Sequence, residues 1–365
     1  MTYFVKTLYL NNFRSYKDAR VEFGQPITIL HGSNAAGKTN IIEALQLLTT
    51  GKSFRRPGNE DLVSYNSEKA SISICATDGA LKRDVSLNIE NKERQFTING
   101  KRVRSQHEIV TVLPCVIFTP DDLMIIKDSS KRRRSEIDYL GIQLSSTYSR
   151  LVTEYKKIII QRNKLLREGQ FNEEVFNAWT ERMIQVGLAL GEKRKSLLKC
   201  VEAPMMNFYQ GLLCPNSRDK QKLTIEYKST WGNEGDENLI RERVKLVFMD
   251  EKIRKVSLLG PHRDDLIFKI DGRDARNFAS QGQQRSVALA WKMAQLDTIE
   301  QFTQAKPLLL LDDVMSELDQ VRRSFLVNAI NKVAQTVITT VNLDYFNDLF
   351  LREAKVIEVP NDIEK

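Results

Sequence analysis

Gly32-Ser33-Asn34-Ala35-Ala36-Gly37-Lys38-Thr39 fits the pattern G-x-x-x-x-G-K-[ST], and the residues on either side give the match its weight. The apolar run at residues 27–30 leads into it and reads as a buried strand. Residues 38–48 lead out of it, with Ile41, Ile42, Leu45, Leu47 and Leu48 at helical spacing and Gly51 as the stop. Strand, glycine-rich turn and helix in direct succession make a loop whose backbone N–H groups and helix N-terminus surround phosphate oxygens. Residues 32–39 are therefore expected to bind ATP, with Lys38 reaching the β and γ phosphates and the Thr39 hydroxyl ligating Mg²⁺.

On the N-terminal side, residues 3–10 alternate as a strand and residues 21–23 follow as another. Beyond the helix, the alternating stretches 71–76, 84–89 and 94–98 are separated by Asp78-Gly79 and Asn99-Gly100, the signals of an antiparallel meander. Residues 110–118 read as one more apolar strand, closed by Pro120. The middle of the chain is charged and amphipathic: Tyr148, Leu151, Val152, Tyr155, Ile158 and Ile159 share one face of a helix over 145–167. A second helix starts at Glu173 and runs to about Cys200, after a turn at Glu168-Gly169-Gln170. It contains Gly187 and Gly191, each costing about 1 kcal/mol against alanine, and Pro204 limits its unkinked length. Strands at 223–227, 266–270, 307–311 and 336–340 then alternate with helices at 283–302 and 319–333, the pattern of parallel β/α units. The expected fold is α/β: a nucleotide-binding head with a mixed sheet and an antiparallel meander, built from residues 1–118 and 255–365. An α-helical domain, 119–254, is inserted between them.

Leu308-Leu309-Leu310-Leu311-Asp312-Asp313 is an apolar strand ending in two carboxylates, as suits a buried central strand that delivers an acid to a metal site. Asp312 is expected to hold Mg²⁺ through water, and Asp313 stands where a general base would activate the attacking water. Ser316-Glu317-Leu318-Asp319 resembles the D-loop of ABC-type ATPases. Ser280-Gln281-Gly282-Gln283-Gln284-Arg285 resembles their S-G-G-Q signature, with Gln281 in place of the first glycine. In that superfamily the signature serine and the helix after it bind the γ-phosphate held by the other subunit. The resemblance thus implies that Ser280, Gly282 and Gln283 complete an ATP site in a second copy, giving an ATP-dependent homodimer.

Over nearly its whole length the chain resembles the RecF family. Asn11-Asn12-Phe13-Arg14-Ser15-Tyr16 is similar to the family's opening motif, whose arginine lies beside the nucleotide, which implies that role for Arg14. Gly51-Lys52-Ser53-Phe54-Arg55 resembles the stretch after the P-loop helix, and Phe118-Thr119-Pro120-Asp121-Asp122-Leu123 with Arg132-Arg133-Arg134 the entry to the helical domain. Leu259-Gly260-Pro261-His262-Arg263-Asp264-Asp265-Leu266 is the most diagnostic segment, although the resemblance assigns no role to His262 or Arg263. It implies an SMC-like ATPase of recombinational repair and replication that binds single-stranded, gapped and duplex DNA. With RecO and RecR, such a protein promotes RecA loading. Thr340 sits near the place of the superfamily's switch histidine, and Asp313 is shorter than the usual glutamate; together they imply slow hydrolysis.

A net charge of +8 suits an anionic polymer as partner. Lys131 to Arg134, Lys101 with Arg102 and Arg104, Arg55 with Arg56, and the helix face of Lys156, Lys157, Arg162 and Lys164 are candidate phosphate contacts. Cys75, Cys115, Cys200 and Cys214 show no metal or disulfide spacing and read as reduced core residues. No apolar run is long enough for a membrane span and no signal peptide is evident, so the expected location is the cytoplasm. An ABC transporter subunit shares the P-loop, the signature and the acidic strand, but 248 residues separate Gly32 from Ser280, against about a hundred expected there from the resemblance. An SMC-like chromosome protein would need sustained heptads that the middle lacks, and a small-molecule kinase leaves residues 280–285 and 316–319 unexplained.

Overall fold

The computed structural model describes residues 2–55, 57–169, 172–213, 221–232, 235–330, 333–361 and 363. Arg56, Gln170 and Cys214, which figure in the expectations above, lie outside them. The chain divides into two compact units, one of Met1–Leu123, Gly211–Cys214 and Lys292–Lys365, the other of Met124–Gln210 and Pro215–Trp291. Residues 255–291, expected with the head, pack with the second unit.

In the first unit a five-stranded parallel sheet runs in the order Ala354–Glu358, Ile27–His31, Gln335–Thr340, Leu308–Asp312 and Cys115–Phe118. Its register sets Thr340 beside His31 and Asp312 beside Thr339, so the loop after His31 and the acids emerge at the same carboxyl edge. Open α/β sheets bind ligands at that edge. A six-stranded antiparallel sheet follows the order Tyr16–Glu22, Phe4–Phe13, Lys69–Thr77, Lys82–Glu90, Glu93–Ile98 and Lys101–Arg102. The helix Lys38–Thr50 buries eleven of its thirteen residues, polar ones such as Glu43 and Gln46 included, the behaviour of a helix covered on both sides. Leu45 and Leu48 share one core with Leu8, Ile72 and Leu87 of the antiparallel sheet and Leu30, Leu310 and Val337 of the parallel one. Truncating a leucine there to alanine costs about 2–5 kcal/mol. The helix stops at Gly51, whose left-handed φ of 70° lets its N–H bond to the Leu47 carbonyl.

Residues 110–112, read above as strand, are helical: Gln106–Val112 is a helix whose start Ser105 caps by accepting from the Glu108 N–H, and the strand begins only at Cys115, after Pro114. Capping chemistry overrode β-branched propensity.

The second unit contains the helices Ser130–Leu144, Ser146–Glu168, Glu237–Leu246 and Phe248–Arg254, and most of Glu173–Leu212, which continues through Pro204. The strands Leu223–Lys228 and Asp265–Ile270 were expected in the parallel sheet. They pair antiparallel instead, with Arg273–Asp274 completing a three-stranded sheet of this unit. Gly187 is glycine for contact: a Cβ there would collide with the Trp231 ring and stand 3.0 Å from that of Tyr155. Among the described residues no helix is long and apolar enough to cross a membrane.

Candidate nucleotide site

The loop 32–39 closes around Lys38. The Lys38 ammonium donates to the carbonyls of Gly32 and Ser33, both at 2.7 Å, and so waits inside the loop. Gly37 caps the helix at φ 106°, and a Cβ there would lie 2.5 Å from the Tyr16 hydroxyl oxygen. Only glycine permits both that backbone and that contact.

Two threonines tie the loop to the acidic strand. Thr39 Oγ1 donates to Asp312 Oδ1 at 3.0 Å, and Thr339 Oγ1 donates to the same oxygen at 2.9 Å while accepting from the Asp313 N–H at 2.9 Å. Asp313 adopts a left-handed φ of 51°, unusual for a residue with a side chain, and its Oδ1 is buried with no hydrogen-bond partner among the described residues. Burial holds the Asp312 carboxyl above the ordinary carboxylate range, opposed by the hydrogen bonds from Thr339 and Thr39. Burial raises Asp313 likewise, with Lys38 opposing, and it lowers Lys38 against the pull of both acids. All three groups are desolvated; a cation beside the two carboxylates would offset the cost for the acids, and phosphate oxygens would do so for Lys38. The fit to magnesium-bound nucleotide is good: one hydroxyl and one buried carboxylate, Thr39 and Asp312, are the sparse protein set Mg²⁺ takes when phosphates and water supply the other ligands.

Arg14, also left-handed at φ 53°, lies in the turn between the first two strands. Its Nε and Nη2 donate to Glu43 Oε2 and Oε1 at 3.0 and 2.8 Å, and its Nη1 to the Asp61 carbonyl at 2.6 Å. The next two residues follow suit along the helix: Asn40 Nδ2 donates to Ser15 Oγ at 2.9 Å, and Tyr16 packs on Gly37. Residues 14, 15 and 16 thus meet 43, 40 and 37, one helical turn apart each time. Glu43, fully buried, escapes sequence reading because it occupies an unremarkable helical position and its partners come from three distant segments.

Ser280, Gly282 and Gln283 belong to the second unit. Ser280 Oγ accepts from the Gln283 N–H at 3.2 Å while Gln283 Oε1 accepts from the Ser280 N–H at 2.8 Å, a reciprocal capping box that starts the helix Gln281–Thr303. Two expected basic clusters break up. Arg162 is fully buried against Glu251, at 2.6 Å, and Arg133 is buried against Asp265, at 2.8 Å. His262 faces Tyr155 Oη through Nδ1 at 2.9 Å and the Ser257 carbonyl through Nε2 at 3.0 Å. A carbonyl only accepts, so Nε2 carries the proton and Nδ1 accepts. Burial lowers its pKa to about 4, and the ring is a neutral strut.

A phosphate-cradling loop, a buried acid bonded to that loop's threonine, and a parallel sheet backed by an antiparallel one define a P-loop nucleotide-binding head of the SMC type. The profile of the RecF/RecN/SMC N terminal domain matches residues 4–363. The chain belongs to the RecF family of P-loop ATPases. It is 35% identical to the DNA replication and repair protein RecF of Lachnoclostridium phytofermentans, with 94% of each chain covered. It is 34% identical to that of Symbiobacterium thermophilum, covering 96% of this chain and 94% of the relative. The structure of the recombination mediator protein RecF-ATP superposes with a TM-score of 0.85 at 28% identity, covering 95% of this chain and 94% of the other. The Smc head domain of Pyrococcus furiosus shares the fold, with a TM-score of 0.54 at 16% identity over 100% and 96% of the two chains.

Proposed function

We propose that this protein is an ATP-dependent DNA-binding ATPase of recombinational repair and replication, acting as a slow switch. The observation that carries the reading is the Thr39–Asp312 hydrogen bond, which joins the phosphate loop to the acidic strand beside a carboxylate oxygen of Asp313 that has no donor. Lys38 exchanges its two carbonyl acceptors for phosphate oxygens, so the loop is already shaped for its ligand. Thr39 and Asp312 hold Mg²⁺, and Asp313 accepts a proton from the attacking water. Bound there, Mg²⁺ neutralises charge on the phosphates. Arg14 borders the nucleotide, anchored by Glu43.

Ser280, Gly282 and Gln283 meet the nucleotide of a second copy, making an ATP-dependent homodimer; the capping box presents the start of a helix to that phosphate. The solvent-facing Lys101, Arg102, Arg104, Lys131, Lys156, Lys157 and Lys164 supply the sequence-independent attraction to single-stranded, gapped and duplex DNA. The solved relatives are described as recombination mediators of the RecFOR pathway, which supports RecO and RecR as partners; on this reading they load RecA together, and DNA stimulates a weak hydrolysis. On this reading the protein acts on DNA in the cytoplasm.

The test is fluorescence anisotropy of a gapped duplex titrated with protein, with and without Mg-ATP, at two salt concentrations, with Lys38→Met alongside. Salt-sensitive binding that ATP tightens for the wild type alone is expected. Absence of DNA binding under every condition would overturn the proposal.

A further inference from the structure

Two arginines bond to Glu43, and a third lies within its field. An ionised carboxylate offers about four acceptor positions. Here Oε1 takes Arg14 Nη2 at 2.8 Å and Ser53 Oγ at 2.5 Å, and Oε2 takes Arg14 Nε at 3.0 Å and Arg55 Nη1 at 3.4 Å. Arg94, on the strand Glu93–Ile98, comes third. Its Nε is buried and has no acceptor among the described residues. Burial holds its guanidinium below the usual arginine range, Glu43 opposing that shift and Arg14 adding to it, so the three charges feel one another. A buried guanidinium N–H without an acceptor costs stability. The local sum is three positive groups against one negative, and the carboxylate has no position left.

We infer that Arg94, with Arg14 and Arg55, forms an anion site that takes a phosphate group beside the P-loop helix. The site is open where it needs to be: the Arg55 side chain is 38% exposed and that of Arg14 18%, while Glu43 is closed at 0%. Glu43 serves as the base plate that aims Arg14 and Arg55, and Arg94 adds the third guanidinium. Planar forks from several directions suit a phosphate, whose oxygens diverge, better than a single flat carboxylate. The phosphate has two chemical sources, the bound nucleotide or the DNA backbone. The inference rests on the nucleotide- and DNA-binding reading above.

The experiment compares Arg94→Met, Arg94→Lys, Lys38→Met and wild type in three measurements. These are affinity for a fluorescent ATP analogue without DNA, affinity for the gapped duplex without nucleotide across a salt series, and the thermal midpoint of the ligand-free protein. Removing a charge-assisted hydrogen bond to phosphate should weaken binding about tenfold. If the nucleotide is the source, Arg94→Met loses about tenfold in ATP affinity and keeps its DNA salt slope. If the backbone is the source, ATP affinity holds while the slope of log K against log salt falls by about one. In either case Arg94→Lys recovers most of the loss, and the ligand-free midpoint of Arg94→Met is unchanged or raised, because a buried Nε–H that lacks an acceptor among the described residues has gone. Wild-type binding of both ligands by Arg94→Met would overturn the inference, as would loss of binding accompanied by a lowered ligand-free midpoint. ATP binding by Lys38→Met at wild-type affinity would instead sink the nucleotide reading itself, whatever Arg94 does.

Discussion

Replacing Arg162 by methionine should cost the second unit more stability than any surface change in this protein. Arg162 and Glu251 are both 0% exposed and paired at 2.6 Å. The guanidinium also donates to Ser257 Oγ at 2.7 Å and Thr180 Oγ1 at 3.1 Å, and lies 4.6 Å from the centre of the Phe176 ring. Methionine fills much of the volume but strands the Glu251 carboxylate with the Leu258 N–H at 2.8 Å as its remaining donor among the described residues. Breaking a buried pair this way costs about 3–5 kcal/mol, whereas replacing both partners with apolar groups is close to neutral. With a urea dependence of about 2 kcal/mol per molar, the single change should lower the unfolding midpoint by about 2 M. Arg162→Met/Glu251→Leu should recover most of it. The assay is unusually local, because Trp179, Trp231 and Trp291 are the three tryptophans of the chain and all lie in the second unit, so fluorescence reads that unit alone. Equal losses in the single and double variants would refute the reasoning, since the energy would then reside in packing and not in a stranded charge.

Asp313→Asn should keep ATP affinity, slow hydrolysis by about a hundredfold and prolong the ATP-bound dimer, read by phosphate release and light scattering; hydrolysis at the normal rate would mean another residue is the base. Ser280→Arg should bind ATP as wild type yet remain monomeric with Mg-ATP in size-exclusion chromatography; a dimer would contradict the assignment of Ser280 to its partner's nucleotide. His262, held neutral by burial with a pKa of about 4, makes stability pH-dependent. The unfolded chain binds that proton below about pH 6.5 and the folded chain does not, so the contribution is complete above about 6.5 and is lost as pH falls toward 4. Urea midpoints from pH 7 down to 4.5 should therefore fall less steeply for His262→Gln than for wild type, and parallel curves would remove His262 from the account.

The P-loop and the acidic strand were legible because both are local: a short glycine pattern between a strand and a helix, and an apolar run ending in aspartates. Their partnership through Thr39 and Asp312 follows once parallel strand order brings the two carboxyl ends together. What stayed hidden depends on partners remote in sequence. Nothing in the alternation of residues 223–228 and 265–270 tells antiparallel pairing from membership in the parallel sheet. Arg162 looks like its neighbours Lys156, Lys157 and Lys164 until Glu251, far along the chain, claims it. Glu43 collects Arg14, Ser53 and Arg55 by the same kind of convergence. His262 was recognisable as distinctive, yet its neutrality follows from burial and its tautomer from the Ser257 carbonyl, neither of which a side-chain pattern reports.

The pairing of residues 14, 15 and 16 with 43, 40 and 37 works like a key in a slotted shaft. Because an α-helix turns by about 100° per residue, slippage by one position would remove all three contacts from the slot at once. The P-loop helix therefore has no freedom to spin in place; a push on the loop at its head is transmitted as translation or tilt, and the turn at Arg14 travels with it. The antiparallel sheet, whose first two strands end in that turn, becomes the lever that such a push moves.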